Sequence, residues 1–343
     1  MGVNLKDLLV KETIGFDELK GKTVTVDSFN MLYQFLTTIR TPDGKPLTDS
    51  KGNVTSHLIG LFNRTTKFMA KGIKPVFVFD GEKPALKAGE LEKRRKLKVE
   101  AKKKYREALS KEDVESMRKY GGRFAVLTKE MVDQAKELVS ALGLPVVQAP
   151  SEGEAQAAHM VRQNKAWAVV SQDFDSLVHG ADKLVRNLSI AGRRKKIGVM
   201  AYQTIKPEFI DLAKNLNQLG IDQDKLIALA MLVGTDYNPA GIKGIGPKTA
   251  LKLVKKFDDY DELFEHVKWS EHSDLPWTDI FYLIKKMKVT DKYNIKFSSP
   301  DKQKIVKLLV DKHDFNIERV EKTLQPVLKE KEKKQQKKLG DFE

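Results

Sequence analysis

Residues 169–180 read VVSQDFDSLVHG, an apolar β-branched run that stops at two aspartates one residue apart, Asp173 and Asp175. Aspartate is a poor strand former and costly to bury. One aspartate after a strand is explained by capping of the next helix. A second, two residues on, asks for a cation or for nothing. The device recurs upstream. GKTVTVDSFNMLYQFL (21–36) closes a strand pattern at Asp27 and continues at helical spacing, and IKPVFVFDG (73–81) closes at Asp80.

Between these strands lie helical patterns. VTSHLIGLFNRTTKFMAKG (54–72) ends at Gly72, LTKEMVDQAKELVSALG (127–143) runs from a Thr128 cap to Gly143, and SEGEAQAAHMVRQ (151–163) follows the short strand LPVVQA (144–149). Strands alternating with helices predict an α/β fold with a central, mostly parallel sheet flanked by helices. Ligands of such sheets gather at the carboxyl ends of the strands. Asp27, Asp80, Asp173 and Asp175 are all placed there. The segment RTPDGKPLTDSKGN (40–53) predicts a long loop or hairpin. Residues from Glu82 to about Arg118 are rich in helix formers without an apolar stripe, so no face of theirs is expected in the core.

After IKPEFIDLAKNLNQLGI (205–221) the strand patterns stop and the chain reads as helical to about residue 325. Within it, GIKGIGPK (241–248) is a glycine-rich turn between two helices. Residues 329–338 are lysine-rich without apolar spacing and predict a mobile tail.

At 343 residues and 41% hydrophobic the chain has enough apolar content for a core and for about two domains. Lysine and arginine outnumber the acids by 62 to 47, a formal net charge of +15, which suits a polyanionic partner, nucleic acid first. The absence of cysteine excludes disulfides, zinc–thiolate sites and thiol nucleophiles, and the six histidines show no triad or metal-ligand spacing. MGVNLKDLLVKE has no signal-peptide pattern and LIALAMLVG is too short to span a bilayer, so an intracellular location and no membrane partner are expected.

Singly, each acid has a structural explanation; Ser151 with Glu154 reads as a capping box. Jointly, carboxylates converging at strand ends repel by several kcal/mol at an effective dielectric of about 20. Their pKa values rise unless a cation compensates. Hard oxygen ligands without histidine or thiolate select Mg²⁺, with Mn²⁺ as substitute. Two such ions, roughly 3.5–4 Å apart, suit in-line phosphoryl displacement.

TVDSFNMLYQFL, PVFVFDGEKPALKAGELEKR, QAPSEGEAQAAH, SQDFDSL and LVGTDY…GIKGIGPKTAL occur in the order and spacing of the flap endonucleases, structure-specific 5′ nucleases, and the chain resembles their archaeal members over nearly its whole length. The resemblance implies a PIN-like nuclease core over residues 1–218 with a helical arch inserted at 82–126. It further implies an all-α region with a helix-hairpin-helix over 219–325 and a flexible tail with a clamp-binding motif over 326–343. It implies metal ligation by Asp27, Asp80, Glu152, Glu154, Asp173, Asp175 and Asp236. For Glu154 this competes with the capping box, and the ligand role is preferred. Lys87 and Arg94, nearly two helical turns apart, match the basic pair that opposes charge developing on the scissile phosphate. Tyr33 matches the aromatic on which a base stacks; ordinary core packing stands equally beside it.

The resemblance also implies DNA contacts from Gly2, Arg40 and Arg64, and from Gly244, Gly246 and Lys248 of the helix-hairpin-helix, which in relatives also holds K⁺ by backbone carbonyls. Gln336, Leu339 and Phe342 resemble a binding box for a sliding clamp of the PCNA type, with Glu343 where an aromatic is usual; a solvated charged tail is the alternative. Glu82 and Lys83 stand where relatives carry Lys and Pro. The activity so implied is hydrolysis of one phosphodiester in branched DNA with a 5′ flap, with 5′–3′ exonuclease activity, in replication and repair, by a monomeric intracellular enzyme of a prokaryote. A related 5′ exonuclease, repair endonuclease or junction resolvase and a non-catalytic DNA scaffold are the competitors. The short connection from Arg118 to Lys129 disfavours the long-insertion repair type.

Overall fold

The computed structural model describes residues 2–190, 192–195 and 202–340. Strands β1 (Glu12–Thr13), β2 (Thr23–Asp27), β3 (Lys74–Phe79), β4 (Val146–Gln148), β5 (Ala168–Val170) and β6 (Lys183–Arg186) are followed by a hairpin of β7 (Gly192–Lys195) and β8 (Tyr202–Ile205), then β9 (Glu208–Asp211). Seven of them form one sheet in the order β1-β9-β6-β5-β2-β3-β4. β2 to β6 are mutually parallel, whereas β9 runs antiparallel to β6 and β1 antiparallel to β9.

The order decides where a site can form. From β2 the chain builds outward through β3 to β4, then crosses back to place β5 on the other side of β2. The connections therefore leave the β2/β5 pair in opposite directions, opening a crevice beyond their carboxyl ends. Asp27 ends β2, and Asp173 and Asp175 follow β5.

Helices α1 (Ser28–Thr38), α2 (Ser56–Ala70), α3 (Ala88–Ser110), α4 (Val114–Gly121), α5 (Lys129–Ala141), α6 (Gly153–Arg162), α7 (Asp175–Val178), α8 (Leu212–Leu219), α9 (Gln223–Val233) and α10 (Pro247–Lys256) follow in chain order. Strand alternation sorts the core. Val76, Val78 and Val169 face α6, α9 and α10, whereas Phe77, Phe79 and Val170 face α1, α2 and α5. Both faces are apolar, as buried parallel strands require. Each fully buried Phe or Val contributes about 1.5–3 kcal/mol.

The expected caps and stops are present at two helices. Thr128 accepts from the Met131 amide at 3.2 Å, and Gly72 and Gly143 take positive φ of 77° and 74° beyond α2 and α5. The capping box at α6 is not formed, which corrects that reading. Ser151 Oγ instead donates to the Glu82 carbonyl at 3.1 Å, and Glu152 at the cap position makes no capping bond. The Gly153 amide is capped by Asp80 Oδ1 at 2.8 Å, an acceptor from a different strand that no local pattern encodes. Glu154 is thereby released for other work.

The insertion after Asp80 forms α3, α4 and a short 3₁₀ turn at Gly122–Phe124. At 23 residues α3 is about 35 Å long. Neither α3 nor α4 puts a buried residue into the two main core clusters, in line with expectation, but the insertion buries a small cluster of its own. Tyr105 and Ala108 lie one turn apart and meet Met117 across the α3–α4 turn, with the Tyr105 and Phe124 rings 5.2 Å apart. The insertion rests on the 40–54 hairpin, where Gly121 passes so close to Gly44 that an added Cβ would lie 2.5 Å from the Gly44 carbonyl oxygen.

The C-terminal half divides between the two faces. Helices α8 to α10 and those at Tyr260–His266 and Trp277–Lys285 pack on the α6 face. Residues 288–301 then cross the sheet's edge, with the Ser298 amide donating to Gly143 and the Asp301 amide to Ala141. Ile305, Leu308, Val320, Leu324 and Val327 pack on the opposite face with α2 and α5. The final helix, Ile317–Gly340, runs beyond residue 325 into the stretch expected to be a tail. Lysine, glutamate and glutamine are good helix formers, so that composition does not stop a helix already anchored in the core. Among the described residues no helix is long and apolar enough to cross a membrane.

Candidate active site

The site is assembled by four strand ends and one distant helix end. Asp27 caps α1, accepting from the Asn30 amide at 3.0 Å through Oδ1 and from Ser171 Oγ at 3.1 Å through Oδ2. Asn30 also donates to Asp173 Oδ2 at 2.9 Å, so one α1 side chain ties the β2 acid to the β5 acid. Asp175 accepts from the Val3 amide at 2.7 Å. Gly2 lies so close that an added Cβ would stand 2.5 Å from Asp175 Oδ2 and 2.7 Å from Asp173 Cβ.

Glu154, released from capping, offers a carboxylate oxygen within 4.8 Å of oxygens from Asp173 and Asp175. Among the described residues these three, with Asp27 and Asp80, form no ion pair with lysine or arginine. The electrostatic consequence is the one expected for converging acids. Burial, then the charges of Asp80 and Asp173, push Asp27 up to about 7. Burial and the Asp173 charge push Asp175 up to about 6. Glu154 is raised by burial and by the charges of Asp175, Asp27 and Asp173, and Asp80 chiefly by burial.

A second pair of acids is neutralised. Lys87 Nζ lies 2.5 Å from Glu152 Oε1 and 2.8 Å from Asp236 Oδ2, and Arg94 Nη2 lies 2.5 Å from Asp236 Oδ1. Burial would push Glu152 up, yet the His179 ring and the Lys87 ammonium hold it at about 2. Burial opposes the Lys87 charge too, but Glu152 and Asp236 outweigh it and raise its pKa. Lys87 sits in the 3₁₀ turn Ala85–Lys87 at the foot of the insertion, and Arg94 lies two turns into it.

The donor set fits hard divalent cations. It is all carboxylate, its inner acids repel one another without a cation, and the nearby charges of Lys87 and His179 leave Asp80 and Asp175 still raised. Glu154, Asp173 and Asp175 are brought together, Asp27 joins them through Asn30, Asp80 lies beneath Gly153, and Glu152 and Asp236 face the cationic rim.

Tyr33 is half-buried on α1 with Lys98 Nζ 5.0 Å from its ring centroid, so it is neither core nor wholly exposed. Arg40 donates to the Leu36 and Gly44 carbonyls at 2.9 and 2.8 Å, closing the hairpin turn. Arg64 lines a groove with Gln34, Asn63, Lys67 and Ser189. In the glycine turn, Gly241 is needed by the fold, because an added Cβ would lie 2.4 Å from the Val233 carbonyl oxygen. Gly244, at φ 83°, and Gly246 face open space, with Lys248 in the first turn of α10. Phe342 and Glu343 lie outside the described residues, as do the side chains of Gln336 and Leu339.

Sequence reasoning missed Asn30, Ser171 and His179. The signal was present for two of them, since SFN and SQD place a polar residue within three positions of each aspartate.

Family models match at the XPG N-terminal domain over residues 1–101 and the XPG I-region over residues 143–236. The chain is 50% identical over 333 residues to flap endonuclease 1 of Staphylothermus marinus, covering 96% of this chain and 95% of that protein. It is 49% identical to the flap endonuclease 1 of Aeropyrum pernix over 95% of this chain and 94% of that one. Among solved structures it resembles flap endonuclease-1 from Methanococcus jannaschii at a TM-score of 0.75 and 43% identity, covering 95% of this chain and 98% of that one. The catalytic core of Rad2 in complex with DNA substrate shares the fold at a TM-score of 0.69 and 24% identity, over 95% of this chain and 100% of that one.

Proposed function

This chain belongs to the flap endonuclease 1 family, and from that premise we propose that it binds branched DNA with a 5′ flap and hydrolyses one phosphodiester to leave a ligatable nick, with 5′–3′ exonuclease activity. The observation that carries the reading is the pairing of two unlike clusters: half-buried acids within 4.8 Å of one another, and a rim of Lys87 and Arg94 at the foot of a helical insertion. A scaffold that only held DNA would gain nothing from acids facing a polyanion.

In this reading Glu154, Asp173, Asp175 and Asp27 hold two divalent cations, Mg²⁺ by preference, with Asp80, Glu152 and Asp236 supporting them. When bound, the cations supply activation of water and charge neutralisation at the attacking and leaving oxygens. The protein's part is positioning. Lys87 and Arg94 release Glu152 and Asp236 to meet the scissile phosphate and oppose its developing charge. Tyr33, beside Lys98 near the foot of the arch, offers a face on which an unpaired terminal base stacks. The arch, α3 and α4, encloses the single-stranded flap. The open amides at Gly244 and Gly246, with Lys248, grip duplex backbone without reading sequence, and carbonyls of the same turn would hold K⁺. Residues 219–325 serve as the DNA-gripping part, and the tail at Gln336, Leu339 and Phe342 engages a sliding clamp during replication and repair.

The test is cleavage of a labelled 5′-flap duplex with and without Mg²⁺, beside Asp175→Asn. Metal-dependent release of the flap, lost in the variant, is expected. Tight binding without cleavage in the presence of metal would leave the scaffold; cleavage confined to four-way junctions would make it a resolvase.

A further inference from the structure

Tyr237 follows Asp236 directly and is 8% exposed, yet its hydroxyl makes no well-formed hydrogen bond among the described residues. A buried phenol without a partner loses about 1–3 kcal/mol of solvation and needs an explanation. The backbone that carries it is held in place. The Tyr237 amide donates to Thr235 Oγ1 at 3.1 Å, that hydroxyl donates to Asn238 Oδ1 at 2.6 Å, and Asn238 Nδ2 donates to the Met231 carbonyl at 2.6 Å. The turn after α9 is therefore pinned, and the ring lines the small cavity walled by Glu152, Glu154, Asp175, His179 and Asp236.

The nearest acid, Glu152, acts on this hydroxyl electrostatically, but it is held by other groups and makes no well-formed hydrogen bond to it. Glu152 gives Oε1 to Lys87 at 2.5 Å and turns Oε2 toward His179 Nε2 at 3.7 Å. Asp236 gives one oxygen to Lys87 and the other to Arg94. The hydroxyl thus retains hydrogen-bonding capacity toward whatever fills the cavity beside Glu154 and Asp175.

We propose that the Tyr237 hydroxyl is a positioning group for the divalent cation, hydrogen-bonded to a water of its hydration shell. Mg²⁺ and Mn²⁺ keep several waters when carboxylates bind them, and such waters need acceptors and donors fixed in the surrounding wall. A phenol supplies both from one atom. The inference rests on the metal-binding reading above and adds a residue to it.

Tyr237→Phe removes only the oxygen. Mn²⁺ binding to the DNA-free protein, followed by electron paramagnetic resonance and by calorimetry, is expected to weaken about tenfold or more. The melting temperature of the metal-free variant should be unchanged or higher, and its rise on adding Mn²⁺ smaller than in the unsubstituted protein. A purely structural tyrosine gives the opposite pattern, a lower metal-free melting temperature with an intact metal-induced rise, and overturns the proposal. Equal Mn²⁺ affinities for both proteins overturn it alone. Failure of the unsubstituted protein to bind Mn²⁺ overturns the metal-binding reading with it.

Discussion

Lys87 Nζ lies 2.5 Å from Oε1 of Glu152, joining the foot of the arch to the first turn of the helix that carries Glu154. The same ammonium reaches Asp236 at the end of α9, so one cation bridges acids from distant parts of the chain. Without DNA it is fully committed. A phosphate entering the site must exchange with these carboxylates, which favours polyanion entry together with divalent cations.

Lys87→Met is therefore expected to slow single-turnover flap cleavage about 10²–10³-fold, the effect of removing one preorganised donor. Lys87 is largely buried, so flap affinity measured by fluorescence anisotropy in Ca²⁺ should change little. An equal loss of binding and rate would assign it to substrate capture.

Metal affinity should fall with pH. Asp27 at about 7 and Asp175 at about 6 hold protons that a cation must displace. Calorimetric Mn²⁺ affinity is expected to fall about tenfold per pH unit between 7 and 6, and more steeply below, with proton release on binding. A flat profile from pH 8 to 5.5 would contradict the inner acids as ligands.

The acids also weaken the metal-free fold. Asp175, raised to about 6, penalises the folded state above that pH, where it is charged; the penalty fades as pH falls towards the unfolded value of about 3.9. At about 1.4 kcal/mol per pH unit of displacement, Asp175→Asn should stabilise the metal-free protein by up to about 3 kcal/mol at neutral pH. Urea unfolding at pH 7.5 and 4.5 checks this: the variant's advantage should shrink at the lower pH, and its stabilisation by Mg²⁺ should be lost.

Gly246 has ordinary negative φ of −90° and open space where a side chain would go. Gly246→Leu should leave the melting temperature within about 1 °C while obstructing phosphate approach, weakening duplex affinity about tenfold, or about 1.4 kcal/mol. Cleavage at saturating DNA should be retained. Unchanged affinity would remove this turn from the interface.

Gly121→Val should unseat the arch, since even a Cβ would meet the Gly44 carbonyl oxygen at 2.5 Å. Faster proteolysis within residues 82–126, with the global melting temperature nearly kept, is the expected outcome. Uniform destabilisation would place the arch within the cooperative core.

Much of this was legible in the chain alone. Strand-then-aspartate, repeated at Asp27, Asp80 and Asp173, is a local pattern, because periodicity and β-branching are set residue by residue. It determined the parallel sheet, the strand-end placement of the acids and the demand for a cation. Helix stops at Gly72 and Gly143 were equally local. What the tertiary structure decided was everything that depends on neighbours remote in sequence. Asp80, not Ser151, caps α6, because β3 delivers its carboxylate to the Gly153 amide. Lys87 and Arg94 rest on Glu152 and Asp236, and Val3 reaches Asp175, across separations of up to 172 residues. The arch's private apolar cluster and the return of the last helix to the sheet also needed the fold, since both join residues that share no local period. A side chain's type states what it can bind; only packing determines which partner is within reach.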